Sequence, residues 1–266
     1  MKILYIGDIM SEPGIGVVSK ILPNLRKAKQ IDLVIAQAEN VTKSKSMSIN
    51  DMKKLQKIGV DFFSGGNHTP KLKELHSLLE DSKQPVIGPA NMNQCPGKGW
   101  KFIDTSYGPV LIISILGETF SKIKPDITNP LVVIDNILED IKGKQCRAIV
   151  VNIHGDYSSE KIVFGYYLDG KVTAVIGDHW HVPTADAMIF PKGTAHITDV
   201  GMCGVLHSSL GIKTQVIIDR WKNSITNRNE LEDSGPLQFN ALLLETNSNN
   251  LLAKSVEHIS IIDNQN

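Results

Sequence analysis

Cysteine is scarce: 266 residues hold three, Cys95, Cys146 and Cys203, and no two form a C-x-x-C pair. Isolated thiols in odd number build neither a disulfide framework nor a thiolate metal cluster, and they suit a reducing compartment. Excess charge is lacking too. The 28 basic side chains balance 28 acidic ones, so no basic surplus advertises a nucleic-acid partner, and long nucleic acid is disfavoured. No run approaches the roughly 18 apolar residues of a membrane span. The apolar stretch Ile3–Ile6 is stopped by Asp8, too soon for a secretory-signal core. The expectation is a cytoplasmic protein without membrane contact. With 41% hydrophobic and 21% charged residues, the composition is globular rather than disordered.

Short β-branched runs alternate with helical periodicity through the first two thirds. Ile3–Ile6, Asp32–Ala36 and Val60–Phe63 read as strands. Ile15, Val18, Ile21, Leu22 and Leu25 lie at helical spacing after the first. Ser48 with Asp51 three residues on marks a helix start, and Gly59 its end. Leu72, Leu75, Leu78 and Leu79 predict another helix. Strands around Phe102 and Val110–Ile115 flank Tyr107-Gly108-Pro109, which reads as a hairpin. Helices near 131–141 and 159–168 precede strands at Ala148–Ile153 and Val172–Ile176. Beyond residue 184 the pattern gives short strands and turns, a polar connection over 222–236, and strands near 240–245 and 255–262. This order predicts an α/β fold with mixed sheets.

Five of these strands run into groups able to bind a metal: Asp8; Glu39-Asn40; Asn67-His68; His154; and His179-Trp180-His181. Ligands of open α/β sheets bind beyond the carboxyl ends of strands, so five such ends predict one polar site. Taken singly, each group has a plainer reading. Asp8 and Glu39-Asn40 suit turns, Asn67 suits a left-handed turn position, and His154 suits a satisfied sheet histidine. The pair His179-x-His181 is harder to dismiss, because residues i and i+2 of a regular strand face opposite ways and converge only on an irregular turn. His76, His196, His207 and His258 belong to no comparable cluster. The candidate set spans residues 8 to 181, so a division would split the site, and residues 1–266 are read as one domain.

Oxygen and imidazole donors without thiolate favour Mn, Fe or Zn. Eight candidate groups exceed one ion's needs, whereas two ions about 3.5–4 Å apart would use them, and phosphate-ester hydrolysis is the chemistry such a pair serves most directly.

The motifs Gly7-Asp8, Glu39-Asn40, Gly66-Asn67-His68, His154 and Gly177-x-His179-x-His181 resemble, in order, those of calcineurin-like metallophosphoesterases. The closer similarity is to the YmdB-type branch, the bacterial 2′,3′-cyclic-nucleotide 2′-phosphodiesterases. That branch has Glu-Asn where most relatives have Gly-Asp, and lacks the histidine two residues after the first Asp, here Met10. Pro96-Gly97-Lys98-Gly99, Ser159-Glu160-Lys161, Pro191–Ala195 and Ile197–Met202 agree as well, and the resemblance covers essentially the whole chain.

The resemblance implies a four-layer α/β/β/α sandwich. It implies Asp8, Asn40 and His181 on one metal, Asn67, His154 and His179 on the other, and Glu39 bridging. The ions would be Fe or Mn, with Zn an alternative, and His68 would be the catalytic histidine. The implied reaction is hydrolysis of 2′,3′-cyclic nucleotides by in-line attack of a metal-bridging hydroxide. The alternatives are a different phosphate ester or an RNA end, or a regulatory protein with a structural metal site; self-association stays open. Departures surround the ligand set. Val41–Ser46 replaces a glycine-rich stretch, Thr69-Pro70-Lys71 replaces Thr-Trp-Asp, and Asp178 and Trp180 stand where threonines are usual.

Overall fold

The computed structural model describes residues 1–123, 126–224, 226 and 228–264. In chain order the elements begin β1 (Lys2–Ile6), β2 (Asp8–Ile9), α1 (Ser11–Lys29), β3 (Leu33–Gln37), α2 (Ile49–Ile58), β4 (Phe62–Ser64) and α3 (His76–Glu80). They continue with β5 (Trp100–Ile103), β6 (Val110–Leu116), α4 (Glu118–Ile123), α5 (Pro130–Asp140), β7 (Ala148–His154), α6 (Ser158–Tyr167) and β8 (Ala174–Asp178). The last are β9 (Met188–Ile189), β10 (Ala195–Ile197), β11 (Met202–Val205), α7 (Thr214–Asn223), β12 (Leu237–Thr246) and β13 (Ala253–Asp263).

The strands form two mixed sheets. One runs β2-β11-β12-β1-β3-β4, with β13 on β12; the other runs β5-β6-β7-β8-β10-β9. Parallel pairing joins β1 to β3 and β3 to β4, and in the second sheet β6, β7, β8 and β10. The carboxyl ends of β1, β3 and β4 therefore lie on one rim of the first sheet, and those of β7 and β8 on one rim of the second.

Both faces of the central strands are covered, which explains their unbroken apolar runs. Ile3, Tyr5, Leu33 and Ile35 meet Val110, Ile112, Val150 and Ile176 between the sheets. The alternate residues Leu4, Ile6, Val34 and Ala36 pack on Val18, Leu22, Met52 and Leu55 of α1 and α2. On the far side, Leu111, Ile113, Val151 and Val175 pack on Ile134 and Ile137 of α5 and Phe164 of α6. The result is a four-layer α/β/β/α sandwich.

The helix expected around Leu72–Leu79 is broken. Pro70 opens a short 3-10 turn, Leu72 is extended, and a second turn precedes the five residues of α3. Apolar spacing alone could not register that interruption. Helix α7, at the edge of the expected polar connection, is an element the sequence reading does not contain; none of its residues is buried, and Trp221 is 83% exposed.

Helix α2 starts as its sequence predicts. Ser48 Oγ accepts from the Asp51 N–H at 3.1 Å, and Gly59, at φ 113°, closes the helix in the left-handed region. Asp51 Oδ2 also receives the hydroxyls of Thr42 at 2.6 Å and Ser48 at 2.9 Å, anchoring the loop after Glu39-Asn40. Ser48→Ala should lower stability by about 1 kcal/mol, read as a lower urea midpoint at unchanged m-value. An unmoved midpoint would show the cap to be idle.

Candidate metal centre

The rims of the two sheets meet, and all eight groups singled out at strand ends come together there. Asp8, Glu39, Asn40, His154 and His181 are buried; Asn67, His68 and His179 are half-buried. Asp8 Oδ2 lies 3.1 Å from His181 Nε2 and accepts from Asn40 Nδ2 at 3.0 Å. Glu39 Oε1 lies 3.2 Å from His154 Nε2, which is also 3.0 Å from Asn67 Oδ1. Glu39 Oε1 is 3.4 Å from Asn40 Nδ2 as well, so this carboxylate stands between the two groupings. Glu39, His154 and His179 each offer an atom within 4.8 Å of the others.

His179 and His181 converge because the backbone between them is irregular, as their spacing requires. Their φ values are 102° and 63°, a left-handed shape that L residues rarely hold outside functional sites. Gly66, just before Asn67, serves close approach. An added Cβ there would lie 2.6 Å from His154 Nε2 and nearer still to Glu39 Oε2.

Asp178 is the group that sequence reasoning passed over, having counted it only as a departure. It ends β8, is fully buried, and places Oδ1 2.7 Å from His154 Nδ1. Its Oδ2 accepts from Asn152 Nδ2 at 2.6 Å, Gln37 Nε2 at 2.9 Å and Tyr5 Oη at 3.0 Å. That arrangement fixes His154 with a proton on Nδ1 and turns Nε2 toward Glu39 and Asn67, as an outer carboxylate does for a metal-binding imidazole. Asp156 was also missed; its Oδ1 lies 2.9 Å from His179 Nε2, leaving Nδ1 as the inward atom. A carboxylate within two residues of His154 (Asp156) and of His179 (Asp178) was the available signal.

The charges are mutually dependent. Burial opposes ionisation of Glu39, yet His154 and His68 hold its carboxyl well below the usual range. Burial raises the Asp8 carboxyl, partly offset by His181. Burial works against protonated His154, but Glu39 and Asp178 outweigh it and raise its pKa well above the ordinary value. His181 is raised by Asp8 against burial. Burial and the charge on His154 push His179 down to about 4, leaving it a neutral donor at pH 7.

Five buried side-chain atoms of the described residues have no hydrogen-bond partner, and two of them, Asp8 Oδ1 and His179 Nδ1, belong to this cluster. An orphaned carboxylate oxygen and an orphaned neutral imidazole nitrogen at one cluster fit transition-metal ions, which accept such lone pairs. Met10 packs with Met202 and Ile212 and also borders a cleft of about 320 Å³ over the cluster, whose other walls include Ser44, Lys45, Lys71 and Asn229. His76, His196 and His258 lie outside, each bonded to a backbone carbonyl.

Two mixed sheets between helical layers, with acid, amide and imidazole donors gathered beyond parallel strand ends, are the architecture of a calcineurin-like phosphoesterase. A YmdB-like family model matches residues 4–259, and the chain belongs to that family. It is 32% identical over 264 residues to a 2′,3′-cyclic-nucleotide 2′-phosphodiesterase of Bacillus subtilis, covering 99% of this chain and 98% of that one. A crystal structure of a hypothetical protein from Thermus thermophilus superposes with TM-score 0.89 at 32% identity, covering 99% and 100% of the two chains. A novel phosphatase from Mycoplasma pneumoniae gives 0.90 at 29% identity, with 99% and 94% covered.

Asp178→Asn tests the buried support. In metal-free protein at about pH 6 the substitution should cost about 3–5 kcal/mol, as for a broken buried ion pair. His154 has a raised folded pKa, so its contribution is complete below about 6.5 and fades as pH rises through the raised value. The difference between wild type and variant in urea unfolding should therefore narrow with rising pH. An equal difference from about pH 5 to 10 would mean that Asp178 does not hold the second, charging proton on His154.

Proposed function

We propose that this chain is a cytoplasmic, dinuclear metal-dependent phosphodiesterase that opens 2′,3′-cyclic nucleotides to 3′-nucleotides. The observation that carries it is the convergence of seven oxygen and nitrogen donors, two of them buried and orphaned, beneath an open cleft. Membership of the YmdB-like family and similarity to a phosphodiesterase active on such nucleotides support the substrate class.

Asp8, Asn40 and His181 would hold one ion, Asn67, His154 and His179 the other, and Glu39 would face both. The donor chemistry favours Fe or Mn, with Zn an alternative. Bound there, the ions would supply a nucleophilic hydroxide near neutral pH and positive charge for the phosphoryl oxygens.

The chain's own residues set the geometry. Asp178 keeps the His154 proton on Nδ1, and Asp156 keeps that of His179 on Nε2. Asn40 bears on His68. In the structure Asn40 Oδ1 is 2.8 Å from His68 Nδ1, and Nδ2 faces Asp8 and His181. Were Asn40 to offer its oxygen to an ion there, its amide would turn over, Nδ2–H would face His68 Nδ1, and the His68 proton would sit on Nε2. Burial and the nearby Lys71 lower the His68 pKa, so this proton placement matters. As the P–O2′ bond breaks, the Nε2–H is directed at the departing ribose oxygen and gives up its proton there.

The purified protein, assayed on 2′,3′-cyclic AMP, a phosphomonoester and a cyclic-phosphate RNA end, should favour the cyclic nucleotide and release 3′-AMP. Chelation should abolish turnover, and Mn or Fe should restore it better than Mg. Full activity in excess chelator, with metal analysis confirming an empty protein, would refute the proposal, and exclusive release of 2′-AMP would refute the bond assignment.

His179→Ala should lose metal and activity together. His68→Ala keeps the backbone N–H that Glu39 Oε2 accepts at 2.8 Å, so it should retain metal while turnover falls by roughly 10²–10⁴. Metal loss on His68→Ala would make His68 a ligand instead.

A further inference from the structure

The turn His179-Trp180-His181 carries its two imidazoles on residues at φ 102° and 63°. A left-handed backbone at two histidines persists only where its surroundings impose it. The Trp180 N–H, midway between them, donates to Asp199 Oδ2 at 2.9 Å. Lys161 Nζ donates to the same oxygen at 2.8 Å, and the Gly201 N–H donates to Asp199 Oδ1 at 2.9 Å. Lys161 Nζ also stands 4.1 Å from the centroid of the Trp180 ring. The indole Nε1–H donates to the Asp156 carbonyl at 2.8 Å, and Asp156 is the residue that engages His179 Nε2.

Lys161 and Asp199 are both fully buried, at 0% exposure. A buried ion pair seldom adds stability over an apolar pair of the same volume, so stability does not account for it. Neither residue borders the cleft. Asp199 accepts from the Trp180 and Gly201 N–H groups and from Lys161, so these buried donors and this buried acceptor satisfy one another. The Lys161 ammonium completes that set, and its position over the indole fixes the Trp180 side chain as well as the peptide.

We infer that Lys161 and Asp199 are positioning residues for the metal centre: their ion pair clamps the Trp180 peptide and so delivers His179 and His181 to the two sides of Glu39. This rests on the metal-centre reading given above.

Co(II) is the probe, titrated calorimetrically into metal-free protein, with the visible spectrum recorded at saturation and folding followed by circular dichroism. Lys161→Met removes the charge at similar length, and Lys161→Arg keeps it. In folded Lys161→Met, Co(II) affinity should fall by about 10–100-fold, the usual cost of a lost outer partner. The ligand-field bands should change, and kcat for 2′,3′-cyclic AMP should drop with KM little altered. Lys161→Arg should recover much of each. A folded Lys161→Met with wild-type affinity and spectrum would overturn the inference.

Should Lys161→Met not fold, Lys161→Met/Asp199→Asn is read in its place, since it buries no charge and keeps an amide oxygen for the Trp180 N–H. Because that variant has lost the ion pair, weakened Co(II) affinity with an altered spectrum supports the clamp, and wild-type affinity and spectrum overturn it. Wild-type protein that takes up no Co(II) would remove the metal-centre reading itself, an outcome seen before any variant is compared.

Discussion

The buried carboxylate of Glu39 is the constraint around which the rest is arranged. At 1% exposure, an anion loses most of its hydration, a cost of several kcal/mol unless charge or hydrogen bonds replace the water. The replacements here are His154 Nε2, the His68 N–H and the Asn40 amide. Each arrives from a different strand end, so β3, β4 and β7 must end in register for Glu39 to be tolerated at all. The parallel pairings of the two sheets meet that demand. The irregular backbone that follows β8 adds His179 from the same rim.

Much of this was legible in the sequence, and for a physical reason. Strands buried on both faces show as unbroken β-branched runs, and the polar groups that end them interrupt the pattern sharply: Asp8 after Ile3–Ile6, His154 after Ala148–Ile153. The Ser48–Asp51 cap and the Gly59 stop are local chemistry, set by residues three or four apart. Long-range partners were less visible. Nothing near Asp178 in sequence announces Tyr5, Gln37 or Asn152, and only the pairing of the sheets brings them to it. The stretch around Leu72 was misread because apolar spacing does not register a local kink.

The departures from the family pattern now have structural content. Lys43, Ser44 and Ser46 occupy left-handed φ values of 51°, 58° and 61°, where glycine would sit without strain. The loop is held by other means: Ser46 Oγ donates to the Thr69 carbonyl at 2.5 Å, the Ser44 N–H donates to Ser11 Oγ at 3.0 Å, and Thr42 is tied to Asp51. A segment that glycine would leave loose is thus pinned in this chain, with Lys45 on the cleft wall. Trp180 replaces a small polar residue with a ring whose face and N–H are both engaged.

Asp178 also has a mechanical consequence. Interfaces built only from aliphatic side chains resist separation but oppose sliding weakly, because one packed arrangement exchanges for another at similar contact. Between these sheets stands one anion whose donors come from both sides, Tyr5 and Gln37 from the first sheet and Asn152 and His154 from the second. Shear of one sheet over the other would have to break hydrogen bonds to a desolvated charge. Asp178 therefore works as a dowel through the sandwich, and the rim that must hold its geometry most tightly is the one where the layers are pegged together.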